Sequence, residues 1–390
     1  MTSPMPSTMD VSDVRRHHLS VVLDHLVRNG PRSRATLAQE TGLTKATVSL
    51  LVTDLLDRDL VTELDTPRAG RVGRPATDVS AGGRRVGGLG LQIDVDRVAA
   101  SIIDLTGEVR ARRVRAGDNR DTRSGRVIDR LRKVTSEVLA EADVAGIACS
   151  GATLALPGLV DPATGTLFVA PNLHWFDADL AQATSRLGLP PTLTVSVDNE
   201  ANLAALAELR VGAGQGLSSF VYVSGGIGIG AGIIVDGRLA RGAHGFAGEI
   251  GHVVVDPTGR PCACGARGCL ETIAGAHGDA DPDRIAEALA IALRSVVHLI
   301  DPEAILLGGS FAARGADFAA AVRDRVQAMT LGARWSPCDV RSGALGADAT
   351  LIGAATVALD AVIADPTIVA TRPSTRSTRS TRSTRSTRSA

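Results

Sequence analysis

The chain has 390 residues, 44% of them hydrophobic and 22% charged, a balance ordinary for a globular protein long enough for two or three domains. Forty-two basic residues offset forty-two acidic ones, so net charge points to no partner; its distribution does, because nearly every cation is Arg, with Lys only at Lys45 and Lys133. No run of eighteen apolar residues and no signal-like leader is present, which excludes a membrane-spanning reading and leads us to expect a cytoplasmic protein that meets no membrane.

The first eighty residues read as helices. Leu19, Val22, Leu23, Leu26 and Val27 recur at helical spacing until Asn29-Gly30-Pro31. Ser33 caps a short helix over 34–40 that Gly42 ends. Thr44 caps a third, whose stripe of Val48, Leu51, Val52, Leu55 and Leu56 follows the spacing of a buried helix face. Two helices around a tight 41–43 turn predict a helix-turn-helix. Thr44, Lys45, Thr47 and Ser49 then lie at the start of the third helix, small and cationic enough to enter a major groove. Strands at 61–63 and 78–80 would make a wing whose loop, PRAGRVGRPAT, carries Arg68, Arg71 and Arg74 without an acid, suited to phosphates or a narrow minor groove. A winged helix-turn-helix over 12–80 that binds operator DNA is the reading adopted. A protein-interaction module with a basic linker is the blander alternative.

From Gly88 the pattern becomes strands and glycine turns: three strands over 88–115, a helix at 127–142, a strand at 145–156 ending in Pro157-Gly158, a strand at 193–197 and a helix at 201–209. Strands at 220–223 and 231–235 flank a glycine loop, and a helix at 285–300 leads into a strand at 304–307. Such alternation predicts α/β layers with sites at the strand ends.

Five cysteines in a chain of this type argue against a disulfide framework. His252, Cys262, Cys264 and Cys269 instead supply one imidazole and three thiolates within eighteen residues, a closed tetrahedral shell for one structural Zn²⁺ per chain, with no position left for catalysis. Cys149 and Cys338 have no such partners and read as core residues.

PNLHW at 171–175, DNEANLAALAE at 198–208, GGIGIGAGIIVDGRLARGAHGFAGEIGH at 225–252, CACGARGCLE at 262–271 and ILLGGS at 305–310 resemble patterns of the ROK family (repressors, open reading frames and kinases). The resemblance runs from residue 12 to about 365. It implies a two-lobed actin-like (ribonuclease H-like) sugar-kinase-type body over 86–365, behind the DNA-binding domain that marks the repressor branch. It also implies Asn172, Asn199, Glu200, Glu249, His252 and Glu271 as the residues that grip a sugar or sugar phosphate.

Two positions depart from the family's kinases. Where those carry a DxGGT phosphate turn, this chain has Gln92 at the Asp position and Asp94, Val95 and Asp96 in place of Gly-Gly-Thr, so carboxylates face the site of a polyphosphate. Where they carry Asn-Asp-Ala-Asn with Asp as base, it has Asn199-Glu200-Ala201-Asn202, which displaces the carboxylate by more than ~1 Å and costs about 10²-fold in rate. These departures favour a sugar-responsive repressor, not an enzyme, acting as a homodimer or dimer of dimers on a palindromic operator. The alternatives are an ATP-dependent sugar kinase with an appended DNA-binding domain, and a DNA-binding protein that uses a ligand-free body only to dimerise. Residues 366–390, ending in a Ser-Thr-Arg repeat with six arginines and no acid beyond residue 371, are expected to be disordered.

Overall fold

The computed structural model describes residues 10–64, 77–83, 85–120, 124–279 and 281–371. Helices α1 (Val11–Asn29), α2 (Arg34–Thr41) and α3 (Lys45–Asp57) open the chain. The hydroxyls of Ser33 and Thr44 accept hydrogen bonds from Thr36 N (3.1 Å) and Thr47 N (3.2 Å), each pairing a first-turn N–H that the helix leaves free. Gly42 stops α2 in the left-handed region at φ 73°. Val48, Leu51, Val52 and Leu55 of α3 are buried in one apolar cluster with Leu19, Val22, Leu23 and Leu26 of α1. Strands β1 (Arg32–Ser33), β2 (Val61–Leu64) and β3 (Asp78–Ala81) pair antiparallel in the order β1-β3-β2 and complete a winged helix fold. Arg68, Arg71 and Arg74 lie outside the described residues.

The first lobe holds β4 (Val86–Ile93), β5 (Arg97–Asp104) and β6 (Val109–Ala116), then α4 (Ser124–Val144) and β7 (Ala148–Leu156). A small antiparallel sheet follows, of β8 (Leu159–Asp161), β9 (Thr166–Ala170) and β10 (Trp175–Asp179), before α5 (Leu180–Ser185) and β11 (Val195–Asn199). The main sheet runs β11-β7-β4-β5-β6, with β7 parallel to β4 and to β11 and the β4-β5-β6 meander antiparallel.

The second lobe repeats this plan. It comprises α6 (Glu200–Val211), β12 (Phe220–Gly225), β13 (Ile229–Val235), β14 (Arg238–Leu239), α7 (Glu271–Ala274), α8 (Pro282–Ile300), β15 (Ala304–Gly309), α9 (Ala316–Met329), β16 (Asp339–Ser342), α10 (Ala349–Val357) and α11 (Asp360–Ala364). Its sheet runs β14-β13-β12-β15-β16, again an antiparallel meander beside parallel strands.

Every residue of β4 is buried, because α4 covers one face of the sheet and α10 the other. The glycines of its VGGLGLQI sequence make the second contact possible. A Cβ at Gly88 would lie 1.9 Å from Ala355 O, and one at Gly90 would lie 2.5 Å from Leu351 O. The segment Gly346–Ala364 is apolar and long enough by composition to cross a membrane, yet α10 and α11 bury Leu351, Ala354, Ala355, Val362 and Ile363 inside protein.

The head is not tethered by a bare linker. Leu359, Val362 and Ile363 join Val86 and Leu105 in the same apolar cluster as α1 and α3. Residues 366–371, placed by sequence in a disordered tail, are part of this joint. Pro366–Ile368 form a 3₁₀ turn, Val369 packs on the cluster, and Arg58 of the head donates to the carbonyls of Thr367 (3.2 Å) and Val369. The reason is the apolar surface of Pro366, which is buried, and of Val369, which finds the cluster to pack on. The repeat from Arg372 onward lies outside the described residues.

Candidate functional site

A 3₁₀ turn, Ile250–His252, delivers His252 beside a loop that folds back on itself through the bridges Val254–Cys269 and Pro261–Arg267. Tight backbone makes the loop possible. Gly268 (φ 66°) has no room for a Cβ, which would fall 1.5 Å from Asp256 O. His252, Cys262, Cys264 and Cys269 thereby bring their ligand atoms within 4.8 Å of one another. Cys262 Sγ lies 3.6 Å from His252 Nδ1, and Cys264 Sγ lies 3.6 Å from Cys269 Sγ. A tetrahedron of ~2.3 Å metal–sulfur bonds has edges of about 3.8 Å, so the spacing and the donor set fit a metal ion.

The acids stand against this cluster. Glu271 follows Cys269 by two residues and opens α7, with its Oε1 3.9 Å from His252 Nδ1 and 3.6 Å from Cys262 Sγ. Glu249 Oε2 lies 4.0 Å from His252 Nε2. Asn172 reaches the same place from the first lobe, on the 3₁₀ turn Pro171–Leu173. A Cβ at Gly228 would sit 2.9 Å from Asn172 Nδ2 and 3.1 Å from Glu271 Oε2, which brings those two polar groups together over the open face of one glycine. Asn172, Glu271, His252 and Glu249 thus form a row between the lobes.

The other two candidates are disposed differently. Asn199 spends its amide on structure: Oδ1 accepts from Ala201 N (2.8 Å) and Asn202 N (3.3 Å) to cap α6, while Nδ2 donates to Gly158 O (2.9 Å). One turn further on, Asn202 is buried and its Oδ1 has no hydrogen-bond partner. With Glu249, Gly158 and Gly230 it lines a small cavity, where a ligand hydroxyl would relieve an otherwise costly orphan acceptor. Sequence reasoning singled out Asn199 and Glu200 and passed over Asn202, although the i, i+3 spacing on a helix was the available signal. It also passed over Arg241, which grips the buried Asp198 with two bonds of 2.7 and 2.6 Å and anchors the loop leading to Glu249.

Glu200 faces a cleft of about 230 Å³, lined by Gln92, Asp94, Asp96, Arg97, Thr350 and the glycine loop 225–228, which Asn172 joins to the row. Asp94 accepts from Val95 N (2.7 Å) and pairs with Arg97 (3.2 Å), yet burial still raises its pKa. Burial, reinforced by the Asp94 charge and opposed by Arg97, pushes the Glu200 carboxyl up to about 8. At neutral pH this group mainly carries its proton. In the unfolded chain it titrates near ~4.3. The folded state alone holds the proton between those values, so stability falls as pH rises from about 4.5 to 8 and levels off above. Glu200→Gln is expected to remove this decline, gaining on the order of 1–3 kcal/mol at pH 8 and little at pH 5. Urea denaturation of both proteins at the two pH values checks it, and equal slopes would refute the assignment.

On the head, Thr44, Lys45 and Ser49 are exposed and Thr47 half-buried. Their hydroxyls are already engaged. Thr44 and Thr47 bond each other at 2.9 Å, and Ser49 donates to Lys45 O at 2.9 Å.

Comparisons with known proteins agree with this division. Residues 88–280 and 278–361 match the sequence profile of the ROK family, and residues 20–72 match that of the MarR family. The chain is 34% identical over 66% of its length to a putative xylose repressor of Caldicellulosiruptor sp., covering 62% of that relative's own length. It is 31% identical to the xylose repressor of Bacillus subtilis, over 68% of each chain. A glucokinase of Halalkalibacterium halodurans is 32% identical over 52% of this chain and 74% of its own. Among solved structures, a ROK family transcriptional regulator, homolog of the E. coli MLC protein, superposes with a TM-score of 0.73 at 23% identity, covering 90% of this chain and 97% of that one. The glucokinase from Streptomyces griseus solved with glucose and AMPPNP gives 0.61 at 25% identity over 70% and 99%.

Proposed function

The chain belongs to the ROK family, with a MarR-type winged helix at its N-terminus, and from that premise we propose that it is a sugar-responsive repressor that binds operator DNA. The observation that carries this reading is the shared apolar core of the DNA-binding head and α11, which ties the head to the lobes that hold the row of Asn172, Glu271, His252 and Glu249. A head packed on α11 and on the first residue of β4 cannot ignore a displacement of those elements.

The effector is a small sugar, with xylose the first candidate, since that is the sugar in the names of the repressor relatives. Glu249, Glu271 and Asn172 accept and donate to its hydroxyls, and Asn202 Oδ1 takes one more. A structural zinc ion held by His252, Cys262, Cys264 and Cys269 supplies no chemistry to the sugar; those residues fix the positions of Glu249 and Glu271. The sugar is sensed without phosphorylation. Asp94 and Asp96 oppose a polyphosphate, and a mainly protonated Glu200 is a weak base at neutral pH. A homodimer sets two heads on the halves of a palindromic operator, and the sugar acts by binding one arrangement of the lobes more tightly than the other.

Calorimetric titration of pentoses and hexoses, with operator binding followed by fluorescence anisotropy, tests the reading. One sugar should bind and shift operator affinity. Glu249→Gln and Glu271→Gln should each weaken that sugar by about 10–100-fold, the loss of one charge-assisted hydrogen bond. Operator affinity indifferent to every sugar would end the sensor reading, and turnover with ATP and magnesium would replace it with a kinase.

A further inference from the structure

We propose that α3 reads its half-site through thymine methyl groups, with Leu50 as the residue that sets the preference. The inference rests on the DNA-binding reading above and adds which feature of the groove the head recognises.

Leu50 is 68% exposed in the middle of α3, on the side opposite the buried stripe of Val48, Leu51, Val52 and Leu55. Lys45, Ala46, Ser49, Leu50 and Thr53 share this exposed side at helical spacing. The polar groups there are turned inward. Ser49 donates its hydroxyl proton to Lys45 O and Thr53 donates to Ser49 O, each at 2.9 Å, while the Thr44 hydroxyl caps the helix. The Ser49 and Thr53 protons are thus spent on the helix backbone. What the middle of the face presents is hydrocarbon: the Ala46 methyl, the Leu50 isobutyl group and the Thr53 methyl.

Charge selects the occupant. The exposed side from Lys45 to Thr53 carries no acid, Lys45 makes no ion pair among the described residues, Asp54 is turned toward Arg15 and Arg58 at 2.8 Å each, and the exposed Asp57 stands one turn beyond Thr53, at the far end of the face from Lys45. A cation at the N-terminal end of an apolar helix face fits a polyanion whose groove floor displays methyl groups. Only thymine offers a methyl in the major groove of unmodified DNA.

The test begins with selection of a half-site by the full chain from a random duplex library. Each thymine of the selected site is then replaced by deoxyuridine, which removes the methyl group and nothing else. One or two replacements should weaken binding about fourfold each, the value of one buried methyl. Leu50→Ala should bind the thymine site about as weakly as the wild type binds the uracil site, and should no longer distinguish the two. Leu50 is exposed, so this variant folds. If uracil is tolerated everywhere, or Leu50→Ala keeps the full methyl effect, the inference is wrong and DNA binding stands. A Leu50→Ala variant that changes association state with no methyl effect would also overturn it, by making this face a protein interface. Selection that yields no specific duplex would remove the DNA-binding reading itself.

Discussion

Replacing Cys269 by serine is expected to release the metal and abolish the sugar response together. Cys269 is fully buried, it pairs with Val254 across the loop, and Leu270-Glu271 follow directly into α7. On the proposed zinc reading its thiolate would be both a ligand and the post that positions Glu271. A hydroxyl cannot replace it, because serine stays protonated at neutral pH and is a poor zinc ligand. With three ligands left, the hairpin over 253–270 loses its closure, and His252 loses the fixed contact that sets it 3.9 Å from Glu271 and 4.0 Å from Glu249. Metal content should drop from one ion per chain toward zero. Sugar affinity should fall by about 10–100-fold, the usual cost of disordering groups that orient a site. The head's core is a separate cluster, so operator binding should survive but stop responding to sugar. Cys149→Ser is the control, since Cys149 lies outside the ligand set and in the first lobe's core. Elemental analysis with calorimetry decides the matter: a Cys269→Ser protein that keeps one metal and full sugar affinity would show that the cluster does not build the site.

The helices of the head were legible because their signals are local. Ser33 and Thr44 cap helices through bonds from backbone N–H groups three residues on, Gly42 stops one by its left-handed backbone, and the α3 stripe is a periodic pattern. The ligand cluster was legible for a similar reason, with all four donors inside one stretch of chain. What sequence could not show depends on distant contacts. The orphan acceptor of Asn202 exists only because Gly158, Gly230 and Glu249 close around it from three separate elements. The engagement of Asn199 with Gly158 O is a bond across 41 positions. Residues 366–371 looked like the start of a polar tail, and only the proximity of Arg58 and the α1–α11 core gives Val369 somewhere to pack. The exposed Leu50 could be read as a helix residue from the sequence, but not as one left outside the core with its polar neighbours turned away.

Helix α6 supplies the second large expected effect, through Arg210. The helix begins at the small void that Asn202 shares with Glu249, where Asn199 caps it, and twelve residues carry it about 18 Å along its axis. At its far end Arg210 donates to Thr356 O (3.0 Å) and to the Asp360 carboxylate (2.9 Å), clamping α6 to the end of α10 and the start of α11. Leu359, Val362 and Ile363, immediately beyond, are in the core of the DNA-binding head. A cavity of about 330 Å³ at this joint is lined by Leu26, Gly107, Arg210, Val211, Leu359 and Ile363, leaving room for the elements to move against one another. A movement of α6 on sugar binding would reach the head through the packing of Leu203 against Gly353 and Ala354 of α10 and through this guanidinium, which is the polar part of the joint. Arg210→Met keeps most of the side chain's length and apolar contact while removing both bonds. The Asp360 carboxylate it leaves behind is 47% exposed, so water solvates it and stability changes little. Sugar affinity and sugar-free operator affinity should each stay within about threefold of wild type. The factor by which sugar alters operator affinity, typically about 5–150-fold where sites are coupled, should shrink to under about threefold. Anisotropy of labelled operator with and without saturating sugar measures that factor directly, with Arg323→Met, which breaks the pair of half-buried Arg323 with exposed Asp324 on α9, as control. Because coupling is reciprocal, operator should also cease to alter sugar affinity in the variant. A full response in Arg210→Met would mean that the signal leaves the sugar cleft by another route, and that the clamp serves only to hold α6 in place.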